Sequence, residues 1–80
     1  MRLPRDLSGR DLARLLEVFG YRISRQVGSH MRLSTKTSGE HHISIPDHDA
    51  LRLGTLSGVV GEVARHFDLP RDEIVRRMMS

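Results

Sequence analysis

The chain has 80 residues, no cysteine and a formal net charge of +3 at pH 7. This length suits one small domain over residues 1–80, and the lack of cysteine excludes a disulfide-stapled fold and a thiolate metal site. No apolar run approaches the roughly 20 residues that a membrane-spanning helix needs, and no signal peptide is visible. We therefore expect a soluble, cytoplasmic domain with no membrane partner.

The positive charge comes almost entirely from arginine, because Lys36 is the only lysine. The planar guanidinium group suits phosphates and carboxylates alike, so a nucleic acid or an acidic protein is the expected partner. A solvated surface accounts for the same composition, since pairs such as Arg76 and Arg77 are common at the ends of helices.

The first predicted element is an amphipathic helix in the segment LSGRDLARLLEVFGY. Its apolar residues follow helical spacing: Leu12, Leu15, Leu16 and Phe19. Ser8 and Asp11 form the pattern of a capping box at its start. Gly20 stands where a left-handed residue commonly ends a helix.

Two alternating segments follow, joined by Gly28 and Ser29. In the first, YRISRQV, alternation predicts two faces: Tyr21, Ile23 and Val27 inward, and Arg22, Ser24 and Gln26 outward. In the second, HMRLS, it predicts Met31 and Leu33 inward, and His30, Arg32 and Ser34 outward.

A third alternating segment, HHISIP, follows the polar connection TKTSGE and ends at Pro46. Its pattern predicts Ile43 and Ile45 inward, and His42 and Ser44 outward. Three short strands in succession, joined by short connections, predict an antiparallel meander.

The second half of the chain has helical spacing. After the loop DHDALRLG, the segment TLSGVVGEVARHFDL predicts a helix that is entered at Gly54 and Thr55 and contains Gly58 and Gly61. Close packing against the sheet or the first helix is the expected reason for these two interior glycines. A last short helix is predicted to start at Pro70. The fold class is therefore α+β, α-β-β-β-α(-α), with a three-stranded antiparallel sheet and the helices on one face.

The sheet face that the helices leave open carries histidine and arginine. Strand alternation predicts His30 and Arg32 on this face, with Arg22 on one neighbouring strand and His42 on another. Such a face is a candidate site for a phosphodiester. The alternative is that His30 is only a polar residue after a turn. Gly-Ser-His-Met is also the remnant of a cleaved affinity tag, but such a remnant belongs at the start of a chain, so we interpret it as native.

Several short motifs occur together in this order: Gly20-Tyr21 after the first helix, the triplet Gly28-Ser29-His30, the strand ending in Pro46, and Gly54-Thr55-Leu56. With them the chain resembles, from about Leu7 to Met78, the HicA family of toxins from type II toxin–antitoxin modules. The resemblance implies a single HicA-like domain with a double-stranded-RNA-binding-domain-like fold. It also implies ribosome-independent cleavage of mRNA, one essential histidine that matches His30, and neutralisation by a HicB-type antitoxin in a toxin–antitoxin hetero-oligomer.

Cleavage of RNA without a metal needs a base for the ribose 2′-hydroxyl, a cation at the phosphate and an acid for the leaving oxygen. Histidine is suited to proton transfer near neutral pH, so His30 is the predicted catalytic residue and His42 a candidate second proton carrier. The predicted RNA-binding residues are Arg22, Arg25, Gly28, Ser29, Arg32, Lys36 and His42. We expect no cofactor.

Three alternatives stay open at this point. A metal site built from His48 with Asp47 and Asp49 is less favoured, because no tetrahedral ligand spacing is present. A second possibility is a non-catalytic RNA-binding domain that uses the same basic surface. A third is an interaction module whose arginines bind an acidic antitoxin-like partner.

Overall fold

A computed structural model describes residues 3–80 of the chain. The elements run in the predicted order: α1 (Gly9–Leu15), a 3-10 turn (Leu16–Phe19), β1 (Arg22–Val27), β2 (His30–Thr35), β3 (His41–Pro46), α2 (Leu53–Phe67) and α3 (Arg71–Met78). The prediction of an α-β-β-β-α-α fold with one open three-stranded sheet is confirmed. No helix within residues 3–80 combines the length and the apolar character needed to cross a bilayer.

The helix α1 starts and ends at the predicted signals. Ser8 Oγ accepts a hydrogen bond from the Asp11 N–H at 3.0 Å, and the Asp11 carboxylate accepts one from the Ser8 N–H at 3.3 Å. This reciprocal pair is the predicted capping box. The predicted helix is tighter over its last four residues, where it becomes the 3-10 turn that ends at Gly20 with φ of +86°.

The three strands form an antiparallel meander in the order β1-β2-β3, and the helices cover one face of it. Four inward residues of β2 and β3 are buried: Met31, Leu33, Ile43 and Ile45. Their outward neighbours His30, Arg32, His42 and Ser44 are exposed. The alternation predicted for these two strands is therefore confirmed, and one sheet face is left open.

The edge strand β1 departs from the prediction. All six of its residues are exposed, including Ile23 at 45% and Val27 at 63%. The prediction that these two side chains enter the core is wrong, whereas Tyr21, just before the strand, is fully buried as predicted. For Ile23 the reason is that α1 and α2 pack over β3, while an open cleft lined by Arg10, Ile23 and other residues separates α1 from β1.

The two predicted interior glycines of α2 have a different explanation from the expected one. A Cβ atom at Gly58 would meet no atom within 4 Å, so no close packing requires this glycine. At Gly61 a Cβ would lie 2.7 Å from the Arg71 guanidinium, which crosses from α3 to donate hydrogen bonds to the carbonyl and hydroxyl of Ser57. Gly61 therefore leaves room for a contact between α2 and α3, and neither the sheet nor α1 is involved.

The bounds of the last two helices differ slightly from the prediction. The helix α2 starts at Leu53, with Arg52 as its N-cap, and so begins before Gly54 and Thr55. Pro70 is the N-cap of α3 and not its first helical residue. The core that these helices close with α1 and the sheet contains three apolar residues of α3: Ile74, Val75 and Met78.

Candidate active site

His30 lies in the central strand at the end of a tight hairpin. Gly28 has φ of +57°, a conformation that glycine adopts without the steric strain of a Cβ, and the chain reverses there within two residues. The Ser29 carbonyl accepts a hydrogen bond from the Asp47 N–H at 2.6 Å, which fixes this turn to the end of β3. His30 then pairs with Val27 on β1 and Pro46 on β3. As predicted, it is the first residue of β2 and its side chain is exposed.

A β-bulge in β1 changes which side chains share the open face with His30. Ile23 pairs with Leu33 and Arg25 pairs with Arg32, so Ser24 is an extra residue without a ladder partner. Because one extra residue shifts the alternation by one, Arg25 faces the same side as Arg32. Strict alternation from Tyr21 onward does not predict this placement.

The same bulge reverses two predictions made from alternation. Val27 pairs with His30 and therefore lies on the open side, and Gln26 pairs with Met31 and therefore lies on the helix side. The predictions of Val27 inward and Gln26 outward are both wrong for this one physical reason. Arg22 pairs with Ser34 and keeps its predicted outward facing.

A chain of hydrogen bonds crosses the open face at the other end of β2. His42 Nε2 lies 2.8 Å from the Glu40 carboxylate, and its Nδ1 lies 2.6 Å from Ser34 Oγ. Ser34 Oγ lies 2.8 Å from Ser24 Oγ, which donates to the Arg32 carbonyl. The Glu40 carboxylate and the Arg32 carbonyl, at the two ends of this series of hydrogen bonds, can only accept, so the four bonds need four donated hydrogens. The two serine hydroxyls and a neutral imidazole supply three. Every bond therefore has a donor only when His42 carries a proton on both ring nitrogens.

His42 and Lys36 lie too far from His30 for the three side chains to contact one phosphate group. His42 lies on the strand next to β2, but it pairs with Ser34, four residues along β2 from His30. At about 3.3 Å per residue this offset is about 13 Å. Lys36 follows the far end of β2 and is about 20 Å along the strand direction from His30. Of the predicted set, the residues near His30 are Gly28, Ser29, Arg25 and Arg32.

A polar cluster on the helix side anchors the His30 end of the sheet. The Asp47 carboxylate accepts hydrogen bonds from Arg10 and from Gln26, each at 3.0 Å. These two bonds, the one from Arg10 first, lower the pKa of Asp47 below its ordinary value of 3.8. Sequence reasoning grouped Asp47 with His48 and missed this cluster, because Arg10, Gln26 and Asp47 are distant in sequence. Within residues 3–80 no three or more metal-ligating side chains are placed to hold an ion.

A second pair of histidines, His41 and His66, lies on the opposite side of the sheet from His42. The His41 and His66 rings stack with their centroids 4.5 Å apart, and His66 Nε2 donates to the Thr37 carbonyl at 2.9 Å. The Tyr21 hydroxyl lies 2.8 Å from His41 Nδ1. Burial, and then the nearby Glu62 carboxylate, raise the pKa of Tyr21 to about 12, so the hydroxyl stays protonated and donates to His41. These contacts join β3 to the end of α2.

Comparison with known families identifies the chain. The family model described as HicA toxin of bacterial toxin-antitoxin matches residues 9–66. The chain belongs to the HicA toxin family. The match runs from the start of α1 almost to the end of α2 and includes all three strands and the whole open face. Searches of curated proteins and of solved structures found no significant match.

Membership of the HicA family gives the protein the role of a toxin that is paired with an antitoxin. The resemblance that the sequence motifs indicated is therefore confirmed. The matched region contains the hairpin turn, His30 and the bulge, whereas α3 lies beyond it.

Proposed function

We propose that this HicA-family protein is a ribosome-independent endoribonuclease that cleaves mRNA with His30 as its catalytic residue and without a metal ion. One observation supports this proposal most directly: His30 is exposed in the central strand, on the same face as the arginine pair of Arg25 and Arg32. An imidazole beside guanidinium groups combines a proton acceptor for the 2′-hydroxyl with cations for the phosphate, both of which the reaction needs.

The proposed reaction is attack by the ribose 2′-oxygen on the adjacent phosphorus. His30 accepts the 2′-hydroxyl proton, the new bond to phosphorus forms, and the bond from phosphorus to the 5′-oxygen breaks. The leaving 5′-oxygen takes a proton from solvent, and the products are a 2′,3′-cyclic phosphate and a 5′-hydroxyl. Arg32 and Arg25 stabilise the charge that develops on the phosphate. His42 takes no part in proton transfer at this phosphate, because it is about 13 Å further along the sheet.

The remaining predicted RNA contacts have separate positions in this proposal. Gly28 and Ser29 border the phosphate at the hairpin turn, and Arg22, His42 and Lys36 contact the strand further along the open face. Arg22 also forms an ion pair with Glu17 at 3.7 Å, and both side chains are exposed, so this pair is weak and is exchanged easily for a phosphate.

The antitoxin is proposed to be an acidic HicB-type protein that neutralises the toxin by covering His30 and Arg32. Complementary charge makes association fast and sensitive to salt. Hydrogen exchange measures this directly: we expect protection of β2 and the hairpin turn on complex formation. Protection confined to α3 contradicts the covering of the active site.

The test of the catalytic proposal compares His30→Ala with His48→Ala, which removes an exposed histidine from the loop after β3. A long unstructured RNA is incubated with each purified protein in the presence and absence of a chelator. We expect His30→Ala to lower the cleavage rate by about 10²- to 10⁴-fold, and His48→Ala to cleave as the wild type does. Thermal melts show whether each variant is folded.

The other possible outcomes of this test distinguish the proposed mechanism from its alternatives. The proposed mechanism is contradicted if His30→Ala cleaves RNA at the wild-type rate. It is also contradicted if the wild type stops cleaving RNA when chelator is added. RNA binding without any cleavage by the wild type supports the non-catalytic RNA-binding alternative. A wild type that neither binds nor cleaves RNA leaves the antitoxin-binding interaction module as the function.

A further inference from the structure

An open cleft lies beside the proposed phosphate site, at the outer edge of β3. It has a volume of about 440 Å³ and is lined by Arg32, His42, Ile43, Ser44 and Glu62. We call it the β3-edge cleft. Arg32 pairs with Ser44 across β2 and β3, so the arginine that faces the phosphate site also borders this cleft. The two sites are therefore adjacent.

Glu62 differs from the other glutamates in having no cation bound to it. Within residues 3–80 it is the one glutamate whose carboxylate makes no hydrogen bond and no ion pair. The other three are paired: Glu17 with Arg22, Glu40 with His42, and Glu73 with Arg76 and Arg77. Glu62 is exposed on α2, where it lines this cleft and also a neighbouring one lined by His41, Arg65 and His66. Its two carboxylate oxygens are free acceptors beside a cationic RNA face.

The chemistry of a carboxylate decides which part of a nucleotide suits the cleft. A phosphate is repelled by Glu62, whereas a neutral group with hydrogen-bond donors is attracted. Single-stranded RNA presents such donors on the Watson–Crick edges of its bases. Guanine carries two adjacent donors, the N1–H and the N2 amino group, which match two carboxylate oxygens. Adenine, cytosine and uracil each present one donor group on that edge, next to at least one acceptor.

We propose that the β3-edge cleft is a nucleobase subsite in which Glu62 selects guanine. The inference rests on the proposed RNA cleavage for its role in catalysis. Arg32 is two residues from His30 along β2, a distance of about 7 Å, which one nucleotide of an extended strand bridges. The cleft extends from Arg32 to His42, which is about 13 Å from His30 along the sheet, so the guanine recognised by Glu62 stands at a fixed position within about two nucleotides of the cleaved bond.

The binding test uses mononucleotides, which contain no phosphodiester between nucleosides for the protein to cleave. Guanosine, adenosine, cytidine, uridine and inosine 5′-monophosphates are titrated into the full chain and followed by NMR. We expect guanosine monophosphate to bind about fivefold or more tightly than the adenosine nucleotide and to shift the Glu62 and Ser44 resonances. Inosine lacks the N2 amino group, so its affinity falls between the two.

Glu62→Gln tests the carboxylate itself. The glutamine carboxamide offers one acceptor and one donor group. Glu62→Gln therefore loses one of the two hydrogen bonds from guanine and places its own N–H group against a guanine donor. We expect this variant to bind all five nucleotides with similar affinity. Glu73→Gln removes the same charge from α3 and is expected to keep the guanine preference. Equal binding of the five nucleotides by the wild type, or a preference that survives in Glu62→Gln, overturns the subsite.

Mapping of cleavage positions separates this inference from the proposed function. In wild-type digests we expect guanine to be enriched at one position relative to the cut, and Glu62→Gln to lose the enrichment. Cleavage without base preference overturns the guanine subsite and leaves the ribonuclease in place. A guanine preference in nucleotide binding without any RNA cleavage overturns the ribonuclease and leaves the cleft as a guanine-binding site.

Discussion

Arg25 and Arg32 lie directly opposite each other across β1 and β2, and the bulge at Ser24 is the reason. Two like charges in a cross-strand pair destabilise a sheet, and neither guanidinium has an ion-pair partner within residues 3–80. The pair therefore has a cost in folding that a bound phosphate removes, because the phosphate interacts favourably with both cations.

This relationship gives a prediction in which stability and RNA affinity change in opposite directions. Arg25→Gln relieves the repulsion, so we expect the free energy of unfolding to rise by about 0.2–1 kcal/mol. RNA affinity falls, and the slope of log K against log salt becomes shallower by about 0.7 because one phosphate contact is lost. Denaturant unfolding and RNA titrations at several salt concentrations measure the two effects.

Arg14→Gln is the control for this prediction. Arg14 is an exposed arginine of α1 that lies 3.4 Å from Asp11, so the substitution removes the same charge away from the open face. We expect little change in the salt slope. A loss of stability in Arg25→Gln, or an equal loss of RNA affinity in both variants, contradicts the assignment of Arg25 to the phosphate site.

A second prediction concerns His42 and the hydrogen-bond chain from Glu40 to the Arg32 carbonyl. His42→Gln removes a side chain about 13 Å from His30 along the sheet, so we expect weaker RNA binding with an unchanged rate of bond cleavage. In single-turnover kinetics this appears as a higher half-saturating protein concentration with the same maximal rate. A maximal rate that is lower by about 10²-fold in His42→Gln shows instead that His42 transfers a proton in the reaction.

A third prediction is a loss of stability as the pH falls through the histidine range. Burial first, and then the stacked His66, lower the pKa of His41 below its ordinary value of 6.5. The unfolded chain therefore binds the His41 proton more readily than the folded protein does. The contribution to stability is fully present above pH 6.5 and is lost as the pH falls through the lower folded value.

Unfolding by denaturant at several pH values between 5 and 8 measures this dependence. Asp47 and Glu73 do not interfere, because hydrogen bonds from arginine lower the pKa of each carboxyl below its ordinary value of 3.8 or 4.5. We expect His41→Gln to flatten the pH dependence, whereas His48→Gln, in an exposed loop, leaves it in place. An unchanged slope in His41→Gln contradicts the assignment.

A fourth prediction contrasts two glycine-to-alanine substitutions in helices. At Gly9, the first residue of α1, a Cβ would overlap the Pro46 carbonyl oxygen. Gly9→Ala is therefore expected to destabilise the fold by about 1–3 kcal/mol. At Gly58 a Cβ meets open space, so Gly58→Ala is expected to stabilise by about 0.5–1 kcal/mol. In thermal melts, a melting temperature that falls in Gly9→Ala and rises in Gly58→Ala confirms the close contact of α1 with the end of β3.

Apolar spacing predicted the parts of the fold that the core determines. Met31 and Leu33 are buried and His30 is exposed because a period of two holds along β2, which pairs continuously with β3 and carries no extra residue of its own. The capping box at Ser8 was predictable for a similar reason, since its two bonds depend only on residues three apart.

The sequence could not reveal features that depend on contacts between distant segments. Ser24 is an ordinary polar residue in an alternating segment, and nothing in its neighbours marks a bulge that turns Arg25 outward. The exposure of Ile23 follows from where α1 lies, which local alternation does not contain. The register that separates His42 from His30 is set by the length of the connection between β2 and β3.

The exposed edge strand β1 also bears on how copies of the free protein meet. Its outer backbone edge has no partner strand, and an open edge with apolar side chains such as Ile23 and Val27 invites pairing between molecules. The bulge and the two arginines, Arg22 and Arg25, oppose such pairing through irregular geometry and charge repulsion. Substitutions that remove these charges therefore lower the protein concentration at which the free toxin begins to self-associate, whatever their effect on RNA binding.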